Sequence, residues 1–224
     1  MGNGIKFRNV EITIIGDNNK VVLGENSQLT SSDIDITGNN NLFDSDKNIK
    51  YLQTVVGETG DNNNFVIKTT KHTIREARFY VEEGSSLSVG ENSEFKNRGL
   101  HVVVNNGYKN KPKLTIGDNV CIAKDCIIRT SDGHTLLDEN GRAINEPKDI
   151  VIGSNVWIMS RCTILKGAVI PSGCAVGANS LVNKAFDEEN LLLVGAPAKI
   201  LRKNIKWDFR GYNRYMTENA VVEN

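Results

Sequence analysis

The chain is short of several things, and each shortage excludes something. It has no net charge: Lys plus Arg and Asp plus Glu number 27 each in 224 residues. A nucleic-acid protein needs a basic excess to displace counterions from phosphates, so that class is set aside. No apolar run approaches the ~18 residues that a membrane span requires. Met1 to Val10 holds no secretory hydrophobic stretch, and Lys6 stands where an N-myristoylation signal wants Ser or Thr. The expected compartment is the cytoplasm. Proline and cysteine are limited to 4 residues each. With no Cys-x-x-Cys spacing, neither a metal site nor a disulfide framework is expected, and the thiols should be free.

What is present is glycine, 20 residues of it, and asparagine in clusters: Asn18-Asn19, Asn39-Asn40-Asn41, Asn62-Asn63-Asn64 and Asn105-Asn106. Both residue types tolerate left-handed backbone, so the clusters mark tight turns. Ile and Val fill the stretches between them, which predicts short strands and frequent turns rather than long helices. The length suits one domain or one domain with appendages, and can bury a core without staples.

A period of six runs through the second half. Ile116, Ile122 and Ile128 keep it, and after a gap so do Ile152, Ile158, Ile164, Ile170, Val176 and Val182. Four positions after each aliphatic comes a smaller residue, among them Val120, Cys126, Val156, Cys162, Ala168, Cys174 and Ser180. Six is not a multiple of 3.6, so a helix would scatter these aliphatics around its axis. A short strand followed by a turn uses six residues naturally. Three such sides close a triangular coil of about 18 residues, with the next coil stacked about 4.8 Å above it. The aliphatic fills the interior and the small residue fits where two walls converge. That slot explains Cys126, Cys162 and Cys174 as core filler.

The first half carries a degraded cue: Ile15-Gly16-Asp17-Asn18, Leu23-Gly24-Glu25-Asn26, Val56-Gly57-Glu58 and Val89-Gly90-Glu91-Asn92. Its phase slips. The expectation is a solenoid within residues 1–197, its strands starting near residue 10, with irregular coils to about 113 and regular ones over 114–197. Lys71 to Gly84 is expected to form a loop or short outer strand. From Ala198 the text changes. Lys199 to Trp207 has helical spacing after Pro197, so residues 198–224 read as a C-terminal helix or arm.

The period breaks between Ile128 and Ile152 without losing register. Ser131-Asp132-Gly133-His134-Thr135 and the residues after it form a loop, at about 130–150, thrown out of a rigid frame. Such loops carry function. His134 is one of 3 histidines in the chain; alone, it reads more simply as a solvated loop residue. His72 and His101 sit in less regular sequence and read as structural.

The hexapeptide run, Asp132-Gly133-His134, Asn155-Val156-Trp157-Ile158 and the closing Val194-Gly195-Ala196-Pro197-Ala198-Lys199 together resemble the left-handed β-helix acyltransferases. Within these the nearest group is the maltose, galactoside and capsular-polysaccharide O-acetyltransferases. The resemblance covers residues 114–202 well and the first half loosely. It implies an all-β, left-handed parallel β-helix assembled as a homotrimer, with acetyl-CoA and a saccharide acceptor meeting between subunits and no metal required. It makes His134 the general base of a direct attack on the thioester. Trp157 matches a tryptophan near the acetyl site, as oxyanion donor or as wall; alternatively it is an outward-packed corner aromatic. An asparagine upstream, Asn105 or Asn106, is implied as the group that orients the histidine. Ala123 and Ser160 match residues along the pantetheine arm. Ala178 should stack one coil above Ser160, followed by Asn183 and Lys184 where the family has Thr-Lys. Lys199 and Arg202 fall where basic residues approach the nucleotide phosphates, or else on an ordinary basic face. Met159 departs from the family glycine and would narrow the groove.

Other readings stay open. The same fold supports N-acetyltransferases acting on amino sugars, which would also use a base. It supports metal-dependent hydratases too, but these need three histidine ligands, two of them close in sequence, and His72, His101 and His134 are far apart. A non-catalytic scaffold is the remaining option.

Overall fold

The computed structural model describes residues 1–96, 98–105 and 110–219. The chain winds into a parallel β-solenoid of triangular section. The first face is an eight-stranded sheet running from Glu11–Ile15 to Leu181–Val182, and the second a seven-stranded sheet running from Lys20–Leu23 to Val169–Ile170. The third face is split. Four strands from Lys6–Arg8 to Ile74–Arg75 form its lower part, and six from Glu94–Phe95 to Ala198–Arg202 its upper part. Among the described residues no helix is long and apolar enough to cross a membrane.

The hexapeptide expectation holds. Every period-six aliphatic from Ile116 to Val182 is at most 2% exposed, and so is every residue of the small slot. Thr163 pairs with Leu181 and Trp157 with Ala175, each 18 residues on. All four cysteines are buried free thiols. The corner glycines are there for space. A Cβ on Gly153 would sit 2.6 Å from the Ser172 nitrogen of the coil above.

The first half is regular at its start and uneven towards its end, where the step on the first face grows to 78 − 55 = 23 and then 127 − 101 = 26 residues. Glu11, Asp33 and Val55 are register partners in adjacent coils, at steps of 33 − 11 = 22 and 55 − 33 = 22. The slip in phase was a longer coil. Its strands reach five residues, where those near the other end have two or three. The wider interior is filled by aromatic rings: Phe43 lies 5.1 Å from Phe65, and Phe65 lies 5.3 Å from Phe79. The asparagine clusters are ladders between coils. Asn41 N–H donates to Asn19 Oδ1 and Asn63 N–H to Asn41 Oδ1, while Asn18, Asn40 and Asn62 take φ of 57°, 58° and 61°.

Three boundaries differ from expectation. Strands begin at Lys6, not near residue 10. Lys71 to Gly84 is no outer loop; it contributes Ile74–Arg75 and Arg78–Glu82 to the sheets, with Ile74, Phe79 and Val81 buried. The helical spacing over 199–207 is not realised either. Ala198–Arg202 folds back as a strand antiparallel to Leu192–Gly195, because pairing caps the exposed edge of the last coil. The C-terminal helix is Tyr212–Asn219.

Candidate active site

Residues 131–149 leave the solenoid between strand Ile127–Arg129 of the first face and strand Ile150–Ile152 of the second. The ejected segment is a short hairpin: Leu137 bridges Ala143, and Ile144 N–H donates to the Leu136 carbonyl at 2.9 Å. Its root is pinned by one asparagine. Asn145 Nδ2 donates to Asp132 Oδ2 at 2.9 Å and to the His134 carbonyl at 2.7 Å, while its Oδ1 accepts from Leu136 N–H at 2.8 Å. From the next coil, Lys166 Nζ donates to Asp132 Oδ2 at 2.5 Å and to the Asn145 carbonyl at 2.8 Å. The Lys166 hydrogen bond, helped by Asn145 and by the nearby Lys166 and Arg129 charges, holds the Asp132 carboxyl below its ordinary range. The backbone of His134 is therefore fixed while its side chain stays exposed. Among the described residues the imidazole has no hydrogen-bond partner.

Asn105 does not orient His134 within this chain. Its Nδ2 donates to Glu82 Oε2, and its Oδ1 accepts from Ser131 Oγ at 3.1 Å. It braces the start of the loop instead. Asn106 lies outside the described residues. The two other histidines sit elsewhere. His72 pairs with Glu94 at 3.0 Å. His101 lies edge-on to Tyr80, and burial together with the Arg129 and Arg78 charges lowers its pKa.

Trp157 stands on the third face, paired with Cys121 below and Ala175 above. Among the described residues its indole N–H has no acceptor. Its ring meets Trp207 from the C-terminal segment, with centroids 5.9 Å apart. Burial and the Glu94 charge push the neighbouring Cys121 thiol up to about 11, so it is no nucleophile. Ser160 and Ala178 occupy the turn that leads from the third face to the first, directly stacked: Asn179 N–H donates to the Ser160 carbonyl at 3.0 Å. Ala123 holds the Met159 position one coil earlier, since Ile122 pairs with Ile158.

The remaining positions fall elsewhere. Asn183 and Lys184 follow the last first-face strand, at the corner from which the His134 loop also springs. Lys199 and Arg202 are exposed on the closing hairpin.

The positions thus separate into two sets. His134, Asn105, Asn183 and Lys184 lie at the edge between the first and second faces. Trp157, Ala123, Ser160 and Ala178 lie on the third face and its corner with the first. In a triangular prism the third face is the side opposite that first edge, so one chain does not bring His134 to Trp157. Asn145, Lys166 and Trp207 were not singled out from sequence. The only signal available for Trp207 was rarity, the chain having 2 tryptophans.

Solenoid, ejected histidine loop and outward tryptophan together define a class, the β-solenoid acyltransferases. Comparison with known proteins agrees. Residues 149–184 match the bacterial transferase hexapeptide family (six repeats). The chain is 31% identical over 215 residues to a polysialic acid O-acetyltransferase of Neisseria meningitidis, spanning 95% of this chain and 86% of that one. With a polysialic acid O-acetyltransferase of Escherichia coli O1:K1 it shares 33% over 126 residues, 56% of this chain but 39% of that one. The crystal structure of the polySia specific acetyltransferase NeuO superposes with a TM-score of 0.80 at 29% identity, covering 94% of each chain. The chain belongs to the hexapeptide-repeat O-acetyltransferases.

Proposed function

We propose that the protein transfers an acetyl group from acetyl-CoA to a hydroxyl of a saccharide, and that the acceptor is a cell-surface polysaccharide or its precursor. The observation that carries this reading is the fixed, outward-facing His134 loop on a fold of this family. The base takes the proton of the acceptor hydroxyl. The hydroxyl oxygen attacks the thioester carbonyl, the carbon–sulfur bond breaks, and the proton passes to the departing thiolate. No covalent enzyme intermediate is needed. The Trp157 N–H is free to meet the developing oxyanion. Coenzyme A lies past Ser160 and Ala178, with Asn183, Lys184, Lys199 and Arg202 offering polar and basic groups.

The two separated residue sets support a further point: the site forms between copies, most simply in a trimer. The hairpin exposes Leu136, Leu137 and Ile144, each more than half exposed. Such an apolar tip suits burial against a neighbouring subunit.

Incubation with acetyl-CoA and a panel of saccharides, followed by mild alkali, tests the chemistry. Ester-linked acetyl is released by alkali and amide-linked acetyl is retained. Retained label on an amino sugar would favour N-acetylation, and no label on any saccharide would overturn the reading.

A further inference from the structure

Charge is not spread evenly over the lower coils. The lower strands of the third face, Lys6–Arg8, Gln28–Thr30, Lys50–Leu52 and Ile74–Arg75, stack Phe7, Leu29, Tyr51 and Ile74 on their inner side. Strand alternation turns their other residues outward. These include Lys6, Arg8, Lys50 and Arg75, and no carboxylate. The first face begins just past the next corner, and there the sign reverses. Ile34 and Ile36 are buried, so Glu11, Asp33 and Asp35 point outward, with Asp33 directly above Glu11. Among the described residues none of these charged side chains joins an ion pair.

Two faces that share an edge turn away from each other, so these charges do not meet within one chain. Between copies they can. Cyclic symmetry about an axis parallel to the solenoid sets the first face of one copy beside the third face of the next. It also keeps every coil at its own height. Lys6 and Arg8 of one copy then stand level with Glu11 of its neighbour, and one coil, about 4.8 Å, from the level of Asp33 and Asp35. A chain with no net charge thus carries two patches of opposite sign, placed so that each fits the other on a second copy.

We propose that the basic lower third face is an assembly surface and that its occupant is the acidic lower first face of a second copy. This rests on the reading that the site forms between copies, and it names the two faces that flank that site. The same contact serves the chemistry. Trp157 stands higher on the third face, and the His134 loop springs from the far edge of the first. The loop of one copy and the tryptophan of its neighbour then border one cleft. The second face is a poorer match for the cations. At the same height it turns out Lys20 and Asp44, whose charges cancel. The first face also offers Ile127, 39% exposed in the column of Glu11 and Asp33. Arg75 and Arg78 both face outward higher up, so the ionic seam is confined to the first coils.

The test follows the mass of the intact protein by light scattering across a dilution series, a readout that does not depend on activity. Lys6→Glu combined with Arg8→Glu should raise the dissociation constant of the assembly roughly tenfold or more, because like charges then face each other. Glu11→Lys combined with Asp33→Lys should do the same. Far-UV circular dichroism should keep its strand signature in both, since none of these side chains is paired within its own chain. The decisive protein carries all four reversals. Opposite signs again meet across the seam, so its dissociation constant should return to within about threefold of wild type. A folding defect would compound in that protein instead. Added salt should weaken the wild type and the fourfold variant alike. Should a reversal unfold the chain, Arg8→Gln and Asp33→Asn serve, with a smaller shift and a flatter salt dependence. Unchanged assembly in both double variants would overturn the proposal, and so would a fourfold variant no tighter than its parents. A wild type that stays monomeric would overturn both the seam and the reading of a site between copies, whereas an assembly indifferent to these charges overturns the seam alone.

Discussion

His134 is held by its backbone and free at its ring. Its carbonyl accepts from Asn145 Nδ2 at 2.7 Å, and the imidazole lies outside the solenoid core. Replacement should therefore leave stability alone and act on turnover. His134→Ala is expected to lower kcat by about 10²- to 10⁴-fold, the usual worth of general-base catalysis, with the KM for acetyl-CoA nearly unchanged. Near wild-type turnover in the variant would reject the base assignment. Asn145→Ala tests positioning. It leaves the imidazole in place but removes three bonds that close the hairpin root. An intermediate loss in kcat is expected, at constant acetyl-CoA KM and with a pH profile of unchanged shape. A merely structural role would instead lower the melting temperature and leave the specific rate of the folded fraction intact. His134 was legible because Asp-Gly-His is contiguous and interrupts a clear period. Asn145 and Lys166 were not, because they act across 11 and 34 residues of sequence, and a polar loop residue leaves no periodic trace.

At the scale of the element, the same six-residue logic gave opposite results in the two halves. Where strands are two or three residues long, period and structure coincide. Where strands lengthen to five, a coil takes 22 residues or more and a fixed six-residue frame drifts out of phase. The drift looked like irregularity from the outset, although the first coils keep a constant step. It also grouped Val56-Gly57-Glu58 with the aliphatic-Gly-acid cues of the other coils. That tripeptide is mid-strand in Val55–Thr59: Gly57 makes room for the Tyr80 ring, and Glu58 points inward. Glu58 is 1% exposed, its register neighbours are Ile36 and Val81, and neither carboxyl oxygen has a hydrogen-bond partner. Burial pushes this carboxyl from 4.5 up to about 7. Below pH 4.5 the group is neutral in both folded and unfolded chains and costs little. Between pH 4.5 and 7 the unfolded chain releases its proton first, so stability falls as pH rises, and above 7 the full penalty stands. Glu58→Gln, neutral throughout, should gain on wild type over that window. The gap should reach about 3 kcal/mol at pH 8, at about 1.36 kcal/mol per unit. Urea titrations of both proteins at pH 5 and pH 8 measure it, and an advantage independent of pH would show that the carboxyl finds a partner.

For the whole molecule, what matters is where the edges of the prism fall. The solenoid and its sheet order were readable from spacing, since stacking is local. How copies pack is not written in any period, because a solenoid buries its core without a partner. Only the structure shows that His134 and Trp157 stand on opposite sides of one chain. If catalysis needs both, each site takes its histidine from one subunit and its tryptophan from another. This predicts intragenic rescue. His134→Ala and Trp157→Ala proteins should each be deficient as pure assemblies. Coexpressed in equal amounts, they should form mixed assemblies in which about a quarter of the sites pair an intact loop with an intact third face, given random closure of a cyclic oligomer. The specific activity should then approach that fraction of wild type, well above the mean of the two parents. Mixing the purified proteins without subunit exchange should give only that mean. Rescue absent from mixed oligomers whose composition is confirmed by mass would place both residues in one subunit's site, contrary to the separation described above.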